Sequence, residues 1–227
     1  MKKIFILLVF FACNQNNLRA QFLFEVAGSP TYYFLNSDLN KVEIEGSPYS
    51  NDEFMFAKVS GTEKKVKLRY NSHDDVFEME NVDKEIFEVK KNQLYSTILF
   101  ENTAEKYKLV RLKDEIGDRY GYMLEFFNSE KLKVLKREKS IFIQGQSARN
   151  TYDTAIQAKF VKASSEFYWN ANNGVYTLFP NSKEKLIESF PTKKYEINKF
   201  FREFSPNFND ENGIASISNF CSTLQYD

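Results

Sequence analysis

From about Val42 to Phe179 apolar and polar side chains alternate in stretch after stretch. In Lys65–Tyr70 (KVKLRY) Val66, Leu68 and Tyr70 share one face and three cations the other. Val76–Glu80 (VFEME) and Lys106–Leu112 (KYKLVRL) alternate the same way. Leu94–Phe100, Tyr120–Phe127, Lys131–Lys136, Ile156–Val161, Phe167–Trp169 and Val175–Phe179 also read as strands. Period-two alternation suits antiparallel strands with one face packed and the other in water. The segments between them, Asn71-Ser72-His73-Asp74, Asn128-Ser129-Glu130 and Asn170-Ala171-Asn172-Asn173-Gly174, are short and made of turn formers. No helix of crossover length intervenes, so neighbouring strands are expected to pair as hairpins or a meander.

The period changes at Pro180. Asn181-Ser182-Lys183-Glu184 has the form of a helix cap, followed by the apolar positions Leu186, Ile187 and Phe190 and stopped by Pro191. Thr192 can cap a second helix, in which Ile197, Phe200, Phe201 and Phe204 form a stripe that ends at Ser205-Pro206. After Asn207–Gly213, the residues Ile214, Ile217, Cys221 and Leu224 again share a helical face. Helices shorter than about 12–15 residues are marginal alone in water, so these must dock on the sheet. The expected fold is β-rich (α+β): an antiparallel meander or partly closed β domain of about ten strands with a short C-terminal helical cap. Residues 21–180 form its β part and 181–227 the cap, in a single domain.

The first 20 residues bear on destination. Lys2 and Lys3 precede the apolar run Ile4–Ala12, and the polar stretch Asn14–Ala20 ends in a small residue. That order describes a secretory signal peptide, residues 1–20. Its apolar core is shorter than the roughly 20 residues a membrane span needs. Cleavage after Ala20 would leave a soluble chain starting at Gln21 or Phe22. The competing route reads Phe10-Phe11-Ala12-Cys13 as a lipobox and leaves a lipid anchor on Cys13. Phe10 and Phe11 suit a lipobox poorly, which favours the soluble product. Either route places the protein outside the cytoplasm: periplasmic, outer-membrane-associated or secreted.

Charge and cysteine content narrow the picture. The whole chain balances 31 basic against 31 acidic residues, and losing Lys2, Lys3 and Arg19 with the leader leaves 28 against 31, a net of −3. Bases and acids are interspersed, so the basic footprint of a nucleic-acid binder is missing. Only Cys221 survives cleavage after Ala20, which removes any intrachain disulfide. An outer-membrane barrel is disfavoured by the charged strand faces and by the helical pattern at the end of the chain.

Candidate chemistry is sparse. His73 is the sole histidine and falls in a predicted hairpin turn, so a histidine-rich zinc site is excluded and any Ser-His-Asp triad would have to use it. A solvent-facing turn residue is the expectation. Asn71, Asp74 and Asp75 could offer oxygens to calcium, but their spacing departs from a calcium loop, and acidic turn residues usually cap their own backbone. Cys221, on the last apolar stripe, is expected as a small core hydrophobe. Phe167 and Trp169 should face one way and Tyr168 the other, as hairpin packing rather than a ligand platform. Lys131, Lys133, Lys136, Arg137 and Lys139, flanked by Glu130 and Glu138, read as a solvated strand face. Two carboxylates across a cleft would suffice for glycoside hydrolysis, but no pair is singled out among the 31 acids.

Gly46–Phe54 (GSPYSNDEF) is a compact turn leading into a strand. With Leu68-Arg69-Tyr70-Asn71 and the acidic strand Val76–Glu80, it resembles a group of uncharacterised secreted Bacteroidota proteins. In that group a G-S/T-P-Y-x-N-D-E-F turn is followed by L-R-Y-N and a short acidic strand. The Tyr-Trp hairpin, Gly174 and the Lys-rich short helices after it are similar too. The resemblance implies no activity and carries over no site residue.

The functional expectation is therefore an exported, non-enzymatic cell-envelope or secreted binding or structural module. Its partner would be an envelope protein or polysaccharide, with no nucleic acid, no cofactor and no metal. The alternative is a carbohydrate-active hydrolase using two carboxylates. Mass spectrometry of the native N-terminus tests the processing route: a free Gln21 is expected, and a diacylated Cys13 would select the lipid-anchored form.

Overall fold

A computed structural model of the chain describes residues 44–114, 117–146, 148, 154–170 and 176–224. The predicted leader with Cys13, the expected start at Gln21, Val42, and the predicted Asn-Gly turn at 171–174 with Val175 lie outside the described residues.

Strands β1 (Met55–Val59), β2 (Val66–Asn71), β3 (Val76–Glu80), β4 (Ile86–Val89), β5 (Thr97–Phe100), β6 (Lys106–Asp114), β7 (Gly117–Asn128), β8 (Lys133–Arg137), β9 (Ser140–Ile143), β10 (Lys159–Lys162), β11 (Glu166–Asn170) and β12 (Thr177–Leu178) come first. Helices α1 (Lys183–Ser189), α2 (Lys194–Phe204) and α3 (Glu211–Thr223) follow. Ten strands form one antiparallel sheet in the order β12-β11-β8-β7-β6-β5-β1-β2-β3-β4, while β9 and β10 pair as a separate ribbon. The expected antiparallel β domain with its helical cap is what the structure shows. A plain meander it is not: β5 returns to pair with β1, so β1–β4 form a flap of consecutive hairpins attached through β1. Two strands, β4 and β9, went unread in the sequence; β1 is the strand expected after the Gly46–Phe54 turn, and Leu94 lies in a short 3₁₀ turn (Gln93–Tyr95) ahead of β5.

The sheet curls into a half-barrel. In a flat sheet β2 and β7 would lie four strand spacings apart, roughly 19 Å. Instead the Tyr70 hydroxyl on β2 reaches to 3.4 Å from the Tyr122 carbonyl oxygen on β7. The space enclosed is filled by aromatic rings. Phe77 lies 4.8 Å from Tyr122, 5.2 Å from Tyr107 and 4.9 Å from Tyr70, centroid to centroid, mostly edge to face. Such pairs contribute about 0.5–1.5 kcal/mol each beyond the area they bury.

Side-chain parity sets up further apolar layers. Tyr107 and Leu109 on β6 stand opposite Leu124 and Tyr122 on β7 and face the barrel core. On the reverse face Leu112, Met123, Leu135 and Tyr168 form a second cluster, with Val110 and Tyr176 packed against it. Tyr176 also makes a parallel bridge to Leu112, which ties the β12 end of the sheet back to β6. A third cluster joins Val134 and Trp169 to Leu186, Ile197, Phe200, Ile214, Ile217 and Cys221 of the helices. The helices therefore roof the β8–β11 end. The expectation of one packed and one wet face fails where the sheet bends, because curling buries parts of both faces.

Helix ends follow their sequence signals. Ser182 caps α1 by accepting from the Lys185 N–H at 3.3 Å, and Asp210 caps α3 by accepting from the Gly213 N–H at 2.7 Å. Thr192 does not cap α2; it sits in a 3₁₀ turn (Pro191–Lys193) that leads into it. Phe204, assigned to the buried stripe, is 66% exposed, because it occupies the last turn of α2 before the left-handed Ser205.

Part of the reverse face is ionic. Glu125 pairs with Lys108 and, at 3.5 Å, with Lys106. Burial works against its charge, but these two ammonium groups outweigh it and hold the carboxyl below its ordinary range. A carboxyl depressed on folding adds stability above its unfolded value, about 4.3 for glutamate, and loses it as the pH falls through the folded value. The urea midpoint is expected to drop on acidification through that window, with a shallower slope in Glu125→Gln; identical slopes would remove Glu125 from the account.

Candidate functional site

Folding gathers the polar residues of the chain at three places, and each depends on a local feature of the backbone. The first is the Gly46–Phe54 turn. Gly46 has φ +77°, and a Cβ there would lie 2.2 Å from the Phe160 carbonyl oxygen, so the turn can approach β10 only with glycine. The Pro48 carbonyl accepts from the Ser72 and His73 N–H groups at 2.9 and 3.2 Å, and the Ser47 carbonyl accepts from Ser140 Oγ at 2.8 Å. The turn thus straps across the β2–β3 hairpin and β9.

Under this strap Arg69 and Glu78 form a clasp. Nε and Nη2 of Arg69 donate to Glu78 Oε2 at 2.8 and 2.7 Å, and Nη2 also reaches Tyr49 Oη at 2.7 Å. Its guanidinium lies 3.7 Å from the Tyr49 ring centre and 4.4 Å from that of Phe54. Glu78 is only 2% exposed. Burial first, and then the Glu78 carboxylate, push the Tyr49 phenol up to about 12, so it stays protonated and donates to Glu78 Oε1 at 3.2 Å. The GSPYSNDEF turn, the LRYN strand and the acidic strand, distant in sequence, meet at this one cluster. Every charge in it is matched, so the cluster binds the molecule to itself.

The second place is the β2–β3 turn. Asn71 Oδ1 caps the His73 and Asp74 N–H groups at 3.0 and 3.1 Å, which is the turn chemistry expected. Asp75 does not cap the turn. With φ +58° it directs its carboxylate inward, accepting from the Tyr70 hydroxyl at 2.8 Å, the Tyr122 N–H at 2.9 Å and Lys91 Nζ at 2.8 Å. Gly121 makes room, since a Cβ there would stand 3.1 Å from Asp75 Oδ2. Asn71, Asp74 and Asp75 therefore do not converge on a cation. Among the described residues no three His, Cys, Asp or Glu side chains gather as metal ligands. His73 is exposed in its turn, but its ring is fixed: Nδ1 lies 2.9 Å from the Ser140 carbonyl oxygen and the ring meets Phe160 edge-on at 5.3 Å.

The third place is a groove of about 510 Å³ between the β11–β12 edge and α1. Its apolar walls come from Phe167, Phe179 and Phe208, and its charged groups are Glu166, Lys185 and Glu188. Small-molecule and peptide sites usually occupy about 300–1,000 Å³, which this groove matches. Two local facts shape it. The N-cap at Ser182 starts α1 directly after β12, which sets the helix as a wall beside the strand. The Phe179 N–H donates to the Phe167 carbonyl at 2.8 Å, so antiparallel alternation turns the N–H and C=O of Leu178 away from β11. Leu178 is 63% exposed and lines the groove.

The remaining residues singled out in the sequence are mostly structural. Trp169 packs on Phe179 and Phe190 at 5.2 and 5.8 Å, on the face opposite Tyr168, as expected for core packing. Cys221 is fully buried, and burial pushes its thiol up to about 12. The basic strip is only partly solvated. Lys131 and Lys133 are exposed, but Arg137 is buried against Glu166, and Lys136 pairs with Glu138 at 3.4 Å and with Glu211 at 2.7 Å. Lys133, Leu135 and Arg137 alternate onto one face of β8, so place along the strand separates them: Lys133 opens β8, and Arg137 ends it against Glu166. No local pattern marks the groove, whose walls lie on elements joined only by tertiary packing.

Among the described residues no helix is long and apolar enough to cross a membrane. No protein-family model, curated protein or solved structure matches the chain.

The clasp makes a direct prediction. Removing one member of a buried ion pair leaves the other without its partner, at a cost of about 3–5 kcal/mol, whereas apolar replacement of both is often near neutral. Arg69→Met should lower unfolding stability by about that amount in urea titrations, and adding Glu78→Leu should restore most of it. Simple additivity of the two losses would refute the coupling.

Proposed function

We propose that the protein is exported and works outside the cytoplasm as a non-enzymatic binding module that holds an extended polypeptide segment of an envelope partner in the β12 groove. The observation that carries this reading is the backbone of Leu178. Its N–H and C=O face away from β11, two residues past the bridge between Tyr176 and Leu112, and Leu178 lines a groove with phenylalanine walls. An added strand would take its main-chain hydrogen bonds from that edge and seat alternate side chains against Phe167 and Phe208. Lys185 and Glu188 on α1 offer charge of both signs along the opposite wall, which suits a polypeptide better than a uniformly charged polymer.

A carbohydrate-active hydrolase would have to draw on acids that fold together, and Glu166 and Glu188 share this groove. Glu166 already engages Lys139 through Oε1 and both Arg137 and the Tyr168 hydroxyl through Oε2. A carboxylate with both oxygens occupied is a poor nucleophile or base until those partners leave, which favours binding.

Proline is tolerated in edge strands and removes only the N–H, so Leu178→Pro spares the β11 pairing while deleting the outward donor. With the partner recovered by cross-linking from intact cells, Leu178→Pro should weaken its capture about tenfold, near 1.4 kcal/mol, in keeping with one hydrogen bond. Its thermal midpoint should stay close to that of the parent. Undiminished capture by a folded Leu178→Pro protein would end the strand-addition reading. Release of reducing ends from envelope glycans, abolished by Glu188→Gln, would replace it with the hydrolase.

A further inference from the structure

A second cavity, of about 120 Å³, opens at the other end of the molecule, at the mouth of the aromatic barrel. Its floor is Tyr70, Phe100 and Tyr107, and its rim carries Met55, Glu105 and Glu138. The two acids differ in their partners. Glu138 accepts from Ser50 Oγ at 2.8 Å and from the Tyr107 hydroxyl at 2.9 Å, and it pairs with Lys136 at 3.4 Å. Glu105 accepts only from Thr103 Oγ1, at 3.1 Å, and has no cationic partner among the described residues. Burial and these two carboxylates together hold the Tyr107 phenol far above its ordinary range, so the floor between them stays uncharged.

The geometry points to a binding site for a single alkylammonium group, with Glu105 as its counter-ion and the rings of Phe100, Tyr70 and Tyr107 as its apolar seat. Size comes first. The space equals about four water molecules, which admits an ammonium head with its adjoining methylenes and is too small for a sugar unit with its hydration. Charge comes second, because Glu105 lacks a cation among the described residues, whereas Glu138 shares Lys136 with Glu211. The walls come third. A hard metal ion takes six or more oxygen ligands, and among the described residues no three His, Cys, Asp or Glu side chains gather to hold one. An alkylammonium is satisfied by one carboxylate and by aromatic faces. Lysine side chains and free amines share this chemistry. The site is independent of the β12 groove.

The test is calorimetric titration of the purified protein with n-butylammonium chloride, n-butanol and Nα-acetyl-lysine amide. Saturable binding of an ammonium probe is expected, with n-butanol at least tenfold weaker. Glu105→Gln should weaken the ammonium probe at least tenfold at an unchanged thermal midpoint, while Glu188→Gln in the distant groove should leave it unchanged. Tighter binding of the lysine derivative than of butylammonium would identify a lysine side chain as the occupant, and the reverse order a free amine. If Glu105→Gln unfolds, Thr103→Val, which frees the same carboxylate from its hydroxyl donor, should shift affinity for the ammonium probe and leave butanol unaffected. The inference is overturned if neither ammonium probe saturates, if butanol binds equally well, or if folded Glu105→Gln binds like the parent.

Discussion

The carboxylate of Asp75 holds the molecule in its curled form. A twisted sheet left to itself would leave β2–β4 as an outlying flap, with the large rings of Tyr70 and Phe77 in water. Asp75 fastens that flap to β7 by accepting the Tyr122 N–H, and it takes the Tyr70 hydroxyl and the Lys91 ammonium as further donors. Charge-assisted hydrogen bonds of this kind are about twice as strong as neutral ones. Lys91, which follows β4, also donates to the Tyr120 carbonyl at 3.3 Å, so the far edge of the flap is pinned as well. Once the curl is held, the aromatic core closes beneath it.

Much of the remaining architecture protects that closure. The Gly46–Phe54 turn crosses the outside of the hairpin, fixed by the Arg69–Glu78 clasp on one side and by Ser140 on the other. The ribbon of β9 and β10 then packs Phe160 against His73, with Phe142 behind Phe160. At the opposite end the helices bury Trp169 and leave the short β12 strand uncovered beside α1. Rigidity is thus concentrated around the barrel, and the open backbone edge sits at its far end. A preformed groove on a rigid support would suit the proposed binding role, because little ordering cost then opposes association.

The readable and the unreadable parts of the candidate sites divide on physical grounds. The strand Val76–Glu80 was legible to the residue, and so was the buried stripe Ile214, Ile217, Cys221 and Leu224, because periodicity registers which side of an element meets the core. Ile86–Val89 and Ser140–Ile143 were missed. They are short strands of four residues that yield few periods to count. The burial of Glu78 and Arg137 was missed for another reason. Alternation marks them as facing away from the core, and only the strap at Tyr49 and the return of β11 cover them.

Local patterning alone determined that this chain would form antiparallel strands with short turns and would end in helices carrying a phenylalanine stripe. Those outcomes rest on side-chain direction and turn chemistry, which act over a few residues. Tertiary structure alone decided the pairing of β5 with β1, the curl, the inward turn of Asp75, the groove at Leu178 and the cavity beside Glu105. Each of these joins residues that are far apart along the chain, and a single sequence leaves the closing of such long loops unspecified.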